Sequence, residues 1–334
     1  MAIPVYSQVI ADVFTTTFDA VLPEMTDGVY GRIPLIGRLY SRFRDENYGA
    51  NGEPTVMYDG GELIRANLLY NKFPASSYSK GDTFFTGFTN FLTAMTFQWK
   101  RAYAPINVDA LDLRKNAGTI TQIVSYSRAL AYNGALSLAD NLDSQFFGNG
   151  TGNNGKNFDG LGNGIGNSGT YGGITRNNTA GDPGNAINSY INSTGNPFSF
   201  ALMNQVMAQV IFGKIRPDLI LTTLDIWQKW WARSQPSERN QPSPLREIGF
   251  ETIRFNGADV LVDDYCPAQD VYFINTDFCQ LWFIEGNDFV RRGRTMGRDG
   301  FLVYNQDAYV DQIICYGDLI FTGPRFQALV SSVS

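Results

Sequence analysis

The sequence predicts an α+β fold, and three features of its 334 residues carry that prediction. Two stretches in the first third alternate apolar and polar residues with the period of a strand. Between 120 and 147 an apolar stripe recurs every three or four residues, the period of a helix. Beyond 186, short helical patterns alternate with short apolar strands.

The first fifty residues do not read as a compact unit. YSQVIADVFTTTFDAVLPEM carries a short helix that Pro23 ends. GRIPLIGRLYSRFRDENYGANG interleaves Arg32, Arg38, Arg42 and Arg44 with Leu and Tyr. It is either a solvated basic face or an arm laid on a neighbouring subunit. In GELIRANLLY (61–70), Ile64, Ala66, Leu68 and Tyr70 share one face of a strand. In FLTAMTFQWKRAY (91–103), Phe91, Met95, Phe97, Trp99 and Tyr103 do the same. The linker NKFPASSYSKGDTFFTGFTN is rich in aromatics and turn residues, and a loop of that length is usually functional or disordered. A two-stranded ribbon is marginal alone, so its apolar face needs a support, for which a neighbouring molecule is one candidate.

The long helix follows. Thr119 and Gln122 fit a capping box, and Ile120, Val124, Ser127, Ala131, Ala135, Leu138, Leu142 and Phe146 form one face. Gly148 occupies the position of a left-handed C-terminal cap. The face is small in the middle, at Ala131, Gly134 and Ala135, which predicts close packing there. The exit, FFGNGTGNNGKNFDG, satisfies two nucleotide-binding patterns: Gly150, Gly152 and Gly155 give G-x-G-x-x-G, and Gly150 to Lys156 give G-x-x-x-x-G-K. A phosphate loop precedes a helix, whose N-terminus attracts the phosphates; this one follows a helix, whose C-terminus repels them. Asn157 also replaces the magnesium-binding Ser or Thr. The stretch is a structural exit.

In the second half, Asn196-Pro197 opens a helix that Gly213 stops, PDLILTT is a short buried strand, and LDIWQKWWAR is another helix. Within the latter, Trp227 and Trp231 stand at helical spacing and are expected in the core. FETIRFNGADVLVDDY turns at Asn256-Gly257 as a hairpin. Two strands, DVYFINT and QLWFIEG, come next, and AYVDQIICYGDLIFTG with RFQALVSSV forms a final antiparallel pair.

Composition excludes much chemistry. The chain has no histidine, which removes Ser-His-Asp and Cys-His catalysis and His-ligated zinc. Cys266, Cys279 and Cys315 form no C-x-x-C pair and read as buried apolar residues of a reducing compartment. Asp263 and Asp264 are adjacent and point to opposite faces of a strand; Asp259, Glu285 and Asp288 read as surface carboxylates. No apolar run approaches the ~20 residues that span a bilayer, and the first residues lack a secretory signal pattern. These features predict a cytosolic product that is not an enzyme and holds neither metal nor cofactor. The net charge of −6 argues against a protein that coats nucleic acid. In RRGRTMGR, Arg291, Arg292 and Arg294 are expected to pair across an interface between subunits. Phe73, Tyr78, Phe84 and Phe85 of the long linker are the other candidate assembly contacts.

The ordered sum resembles the major capsid protein of tailed double-stranded-DNA bacteriophages. The likeness is strongest over FLTAMTFQWKRAYAPINVDALDLRKNAGTITQIVSYSRALAYNGALSLADNLDSQFFGNGTGNNGKNFDGL, and continues in PDLILTTLDIWQKW, NGADVLVDDYCPAQDVYFIN and YGDLIFTGPRFQAL. The resemblance implies an N-terminal arm at 1–50, an extended loop at 51–105 and a peripheral domain with a spine helix at 106–185. It further implies an axial domain at 186–290 and return strands of the peripheral domain at 291–334. It implies a structural protein whose hexamers and pentamers tile an icosahedral head around DNA, bound without sequence specificity. The implied partners are further copies of the chain, a separate scaffolding protein, a portal and a cement protein, with no membrane. The implied location is the virion, and the host cytoplasm during assembly. An encapsulin-like compartment of the same fold is the alternative.

Overall fold

The computed structural model of the chain describes residues 33–43, 55–58, 60–109, 111, 120–234, 253–284, 290–291, 301–302 and 308–333. The helix expected before Pro23, the cap at Thr119, and Glu285, Asp288, Arg292 and Arg294 lie outside the described residues, as does the side chain of Arg291.

Among the described residues, two six-stranded sheets organise the fold. The first is built on the 14-residue strand β15 (Ala308–Phe321). Along one edge β15 pairs antiparallel with β4 (Lys100–Asp109), from Ala308↔Asp109 to Gly317↔Lys100. Along its other edge β12 (Cys279–Ile284), β13 (Val290–Arg291) and β14 (Phe301–Leu302) pair in succession. β1 (Thr55–Tyr58) closes the sheet parallel to β12. The second sheet runs β7 (Tyr190–Asn192), β16 (Ala328–Val330), β11 (Val271–Ile274), β8 (Leu219–Thr222), β10 (Ala258–Val262) and β9 (Ile253–Phe255). The hairpin between β9 and β10 turns where expected, with Asn256 and Gly257 both at positive φ, as a tight I′-type turn requires.

The second sheet divides two cores, which is why its strands read as unbroken apolar runs. Leu219, Leu221, Leu261, Tyr272 and Ile274 face the larger core, which also holds the long helix Ile120–Phe146 and the first sheet. Ile220, Val260, Val271, Phe273 and Val330 face the smaller one, beneath helices Phe200–Val210 and Leu224–Ser234. The chain changes sheets late: β12, from 186–290, sits in the first, and β16, from 291–334, in the second. β15 and β16 are therefore not the antiparallel pair the sequence suggested. The single turn Pro324–Phe326 between them redirects the backbone, and β16 pairs with β11 and β7.

Four other expectations are corrected. The arginine-rich stretch contains a helix, Pro34–Phe43, whose Leu35, Ile36 and Leu39 are buried in the subunit's own core. Its Arg38 meets Asp218 at 3.3 Å, and Asp218 also accepts from Thr276 N and Oγ1. The face shared by Phe91 to Tyr103 breaks at Trp99. Met95 and Phe97 are buried before it, whereas Ala102, Ala104 and Ile106 are buried after it and Tyr103 is exposed. The strand leaves one sheet for another there, and the inward face changes parity. In helix Leu224–Ser234 the core residues are Ile226 and Trp230; Trp227 and Trp231 stack on each other nearer the surface. The helix begun at Asn196-Pro197 starts later, at Phe200, because Ser199 caps it by accepting from Leu202 N at 3.1 Å.

Ala131, Gly134 and Ala135 all lie buried on the long helix. A Cβ on Gly134 would stand 2.9 Å from Ile106 Cδ1 and 3.3 Å from Ile313 Cδ1, at the seam with β4 and β15. Both neighbours are flexible side-chain ends. Gly134→Ala is therefore expected to be near neutral, because about 1 kcal/mol of helix propensity offsets the crowding. Gly134→Leu forces three further carbons into the seam and should cost about 1–3 kcal/mol or more. Chemical denaturation of both variants checks the contrast; equal stability would show that the seam is loose.

Candidate functional site

The feature that projects from this frame is a two-stranded ribbon, β2 (Leu63–Leu69) and β3 (Leu92–Gln98), paired from Leu63↔Gln98 to Leu69↔Leu92. Seven residue pairs give it about 24 Å of length. Its inner face is not left for a neighbour. Ile64, Ala66, Leu68, Met95 and Phe97 are buried within the subunit, and Met95 and Phe97 lie against the hairpin of β5 (Thr170–Tyr171) and β6 (Ile174–Thr175). Phe97 meets Tyr171 edge-on at 5.0 Å between ring centres, and Thr96 N donates to Gly172 O at 3.0 Å. At its root, Trp99 Nε1 donates to Gly61 O at 2.8 Å.

The tip is different. Phe73, Tyr78, Phe84 and Phe85 are 64–71% exposed, and Phe88 is fully so. Among the described residues, the only backbone–backbone hydrogen bond inside 72–90 joins Asp82 N to Ser79 O. The rings meet mostly each other: Phe73 with Phe91 at 4.8 Å, and Tyr78 with Phe84 at 5.0 Å. Five large aromatics are thus held away from any core, and exposed apolar patches of this kind are where soluble proteins meet partners. Sequence reasoning left Phe88 out of the candidate contacts, although TFFTGFTN shows it just past Phe84 and Phe85 and it is the most exposed of these rings.

The ribbon's support rests on the glycine-rich exit from the long helix. Gly148 does not take the left-handed conformation; Gly150 does, at φ 75°. Past it, the chain doubles back over the helix end. Gly162 N donates to Gly148 O at 3.0 Å, and Phe158 N to Gln145 Oε1 at 2.8 Å. A Cβ on Gly160 would collide with the carbonyls of Gln145, Phe146 and Gly148, so only glycine fits. Residues 158–162 thus cover the negative end of the helix, and the 150–157 loop follows that end, an unsuitable place for phosphate. Arg176 gathers the next turn, donating to the carbonyls of Asn163, Gly164, Ser168 and Ile187 at 2.7–3.2 Å.

Among the described residues, those considered for chemistry do not converge. Cys266, Cys279 and Cys315 are buried, and none is in a disulfide. Burial pushes Cys266 and Cys279 well above the ordinary thiol range, so neither supplies a thiolate. Asp259 is buried and held by Arg254 at 3.2 Å. Among the described residues, no group of three or more Cys, Asp or Glu could hold a metal ion, and no helix is long and apolar enough to cross a membrane.

No protein-family model matches the chain, and no curated protein does. Solved structures match it nearly end to end. A chain of the cyanophage A-1(L) capsid asymmetric unit superposes with a TM-score of 0.65 at 12% identity, covering 85% of this chain and 91% of that one. The capsid of a native GTA particle gives 0.55 at 8% identity, over 86% and 92% of the two chains. A chain of Mycobacterium phage Bobi gives 0.52 at 13%, over 86% and 93%. The chain has the fold of tailed-phage major capsid proteins, as its sequence resemblance implied.

Proposed function

We propose that this chain is a structural subunit that assembles into a closed shell and performs no chemistry. One observation carries the reading: an aromatic tip with no core of its own, on a ribbon whose base the same subunit anchors. Such a device gives a contact at one place and needs a receiving surface at another. Heterologous contacts of that kind close into rings when the rotation permits. Five- and six-fold rings joined through the ribbons make an icosahedral head, and the cargo that suits the resemblance is phage double-stranded DNA. The net charge of −6 fits a wall that encloses DNA without neutralising it.

On this reading, 51–105 supplies the giving contact, 106–185 the spine, 186–290 the part near the ring centre and 291–334 the strands that complete the subunit. Phe73, Tyr78, Phe84 and Phe85 bear on a neighbour, with Arg291, Arg292 and Arg294 pairing across the same lattice. A separate scaffolding protein, a portal and a cement protein complete the particle. The test is assembly of the purified chain, with scaffolding protein from the same gene neighbourhood supplied, followed by electron microscopy and analytical ultracentrifugation. Closed particles of uniform size are expected. A chain that stays monomeric under all assembly conditions and turns over a substrate overturns the proposal. Particles purified from infected cells should contain DNA; a protein cargo would make the shell a compartment instead.

A further inference from the structure

We infer that Asp143 and Asp263 form a proton-dependent latch between the end of the long helix and the second sheet. A proton held by the pair keeps the contact closed, and its loss opens it. Asp143 lies one turn before the helix ends at Phe146, and Asp263 follows β10 directly. Both are more than nine-tenths buried. Asp263 is fixed on its own side, where its N donates to Thr222 O at 3.0 Å and its Oδ1 accepts from Tyr265 N at 3.0 Å. Asp143 Oδ1 and Asp263 Oδ2 are buried without a hydrogen-bond partner. Around them the two elements are packed firmly: Leu142, Phe146 and Phe147 share a core with Leu261, Cys266 and Tyr272, and Phe147 meets Tyr272 edge-on at 5.8 Å.

The groups facing the pair are all acids. Asp140 lies on the helix, Asp264, Tyr265 and Cys266 on the opposing loop, with Asp270 and Tyr272 behind. No Lys or Arg among the described residues acts on either carboxyl. Two buried carboxylates without a cation cannot both stay ionised at low cost, so one keeps its proton. Burial first, then the Asp263, Asp140 and Asp264 charges, pushes Asp143 up to about 8. Burial and Asp264 push Asp263 up to about 6, against the opposing hydrogen bond from Tyr265. A carboxyl raised in the folded state binds its proton more tightly than the open chain does. The latch is therefore strongest below about pH 4, weakens as pH rises, and is lost above about 8.

Hydrogen exchange of the full-length subunit at pH 6 and pH 9, corrected for intrinsic rates, tests this. Protection of amides 138–146 and 261–266 should fall by about tenfold or more at the higher pH, since a proton bound tenfold more tightly by the closed latch favours closure by the same factor. Asp143→Asn keeps a hydrogen-bonding group without the charge and should abolish most of that fall; Asp263→Asn, on the opposing element, should do the same. An unchanged pH response in both variants overturns the latch. So does a wild-type response spread equally over the whole chain, which requires no variant to fold.

Discussion

Deleting residues 74–88 should leave a folded subunit that forms no closed shells. The deletion joins Phe73 to Thr89 and leaves Asn71, Lys72, Phe73, Thr89 and Asn90 between Tyr70 and Phe91, whose backbones already bond at 3.0 Å. Five residues make an ordinary hairpin loop. Shortening a loop from about twenty residues to five lowers its closure entropy cost by roughly 1 kcal/mol, so the subunit loses nothing in stability. Assembly loses Tyr78, Phe84, Phe85 and Phe88, all exposed in the subunit. Burying each on a neighbour is worth about 1.5–3 kcal/mol, and every copy makes the contact once. Losing the four should weaken each joint by a thousandfold or more. Sedimentation velocity should show single subunits or isolated rings, and thermal melting should match the full-length chain. Closed shells at undiminished yield would place the joint elsewhere in the molecule.

What the sequence made legible is what local periodicity determines. The alternation of Ile64, Ala66 and Leu68 and the stripe from Ala131 to Phe146 each describe one face of one element, and both faces are buried. Periodicity says less about which of two faces turns inward. Trp227 and Trp231 are spaced by four, but so are Ile226 and Trp230, and only the second pair is fully buried. It fails where a strand changes partners. The odd-numbered aromatics up to Trp99 outweigh the small Ala102 and Ala104, so the change of parity leaves no mark in the pattern. The projecting tip was legible because its aromatics stand among Ser, Thr, Lys and Gly with no periodic partner. Asp143 and Asp263 were not, because 120 positions separate them in the chain and a lone Asp on a helix reads as solvated. The pairing is a product of topology.

Arg176 is the residue on which the ribbon's support most depends, and replacing it with Met should cost the subunit about 3–5 kcal/mol. Its side chain serves four carbonyls at once: Nη2 donates to Asn163 O at 2.7 Å and Gly164 O at 2.9 Å, Nε to Ile187 O at 3.1 Å and Nη1 to Ser168 O at 3.2 Å. Its guanidinium also lies over the Tyr171 ring, 5.1 Å from the centroid. Burial lowers its pKa, but an arginine starts so high that the cation persists at any working pH. Nothing in TYGGITRNN marks this role, since backbone carbonyls leave no signature in a sequence. Met keeps the apolar stem and removes every donor. Each carbonyl left buried and unpaired costs about 1–3 kcal/mol, and water reaching the outer ones recovers part of the sum. In a chain of this size a loss of about 4 kcal/mol lowers the melting temperature by roughly 6 °C. Arg176→Lys retains the charge on a single nitrogen that cannot span the same four acceptors, so it should fall between the two. The damage should also travel outward. Tyr171 accepts from Phe321 N at 2.8 Å and packs on Phe97, so a loosened Arg176 segment frees the ribbon's inner face. Calorimetry reads the first effect and hydrogen exchange at 64–68 and 93–97 the second. A Met variant that melts within about a degree of the parent, with the ribbon equally protected, would mean that the glycine-rich turn supports itself.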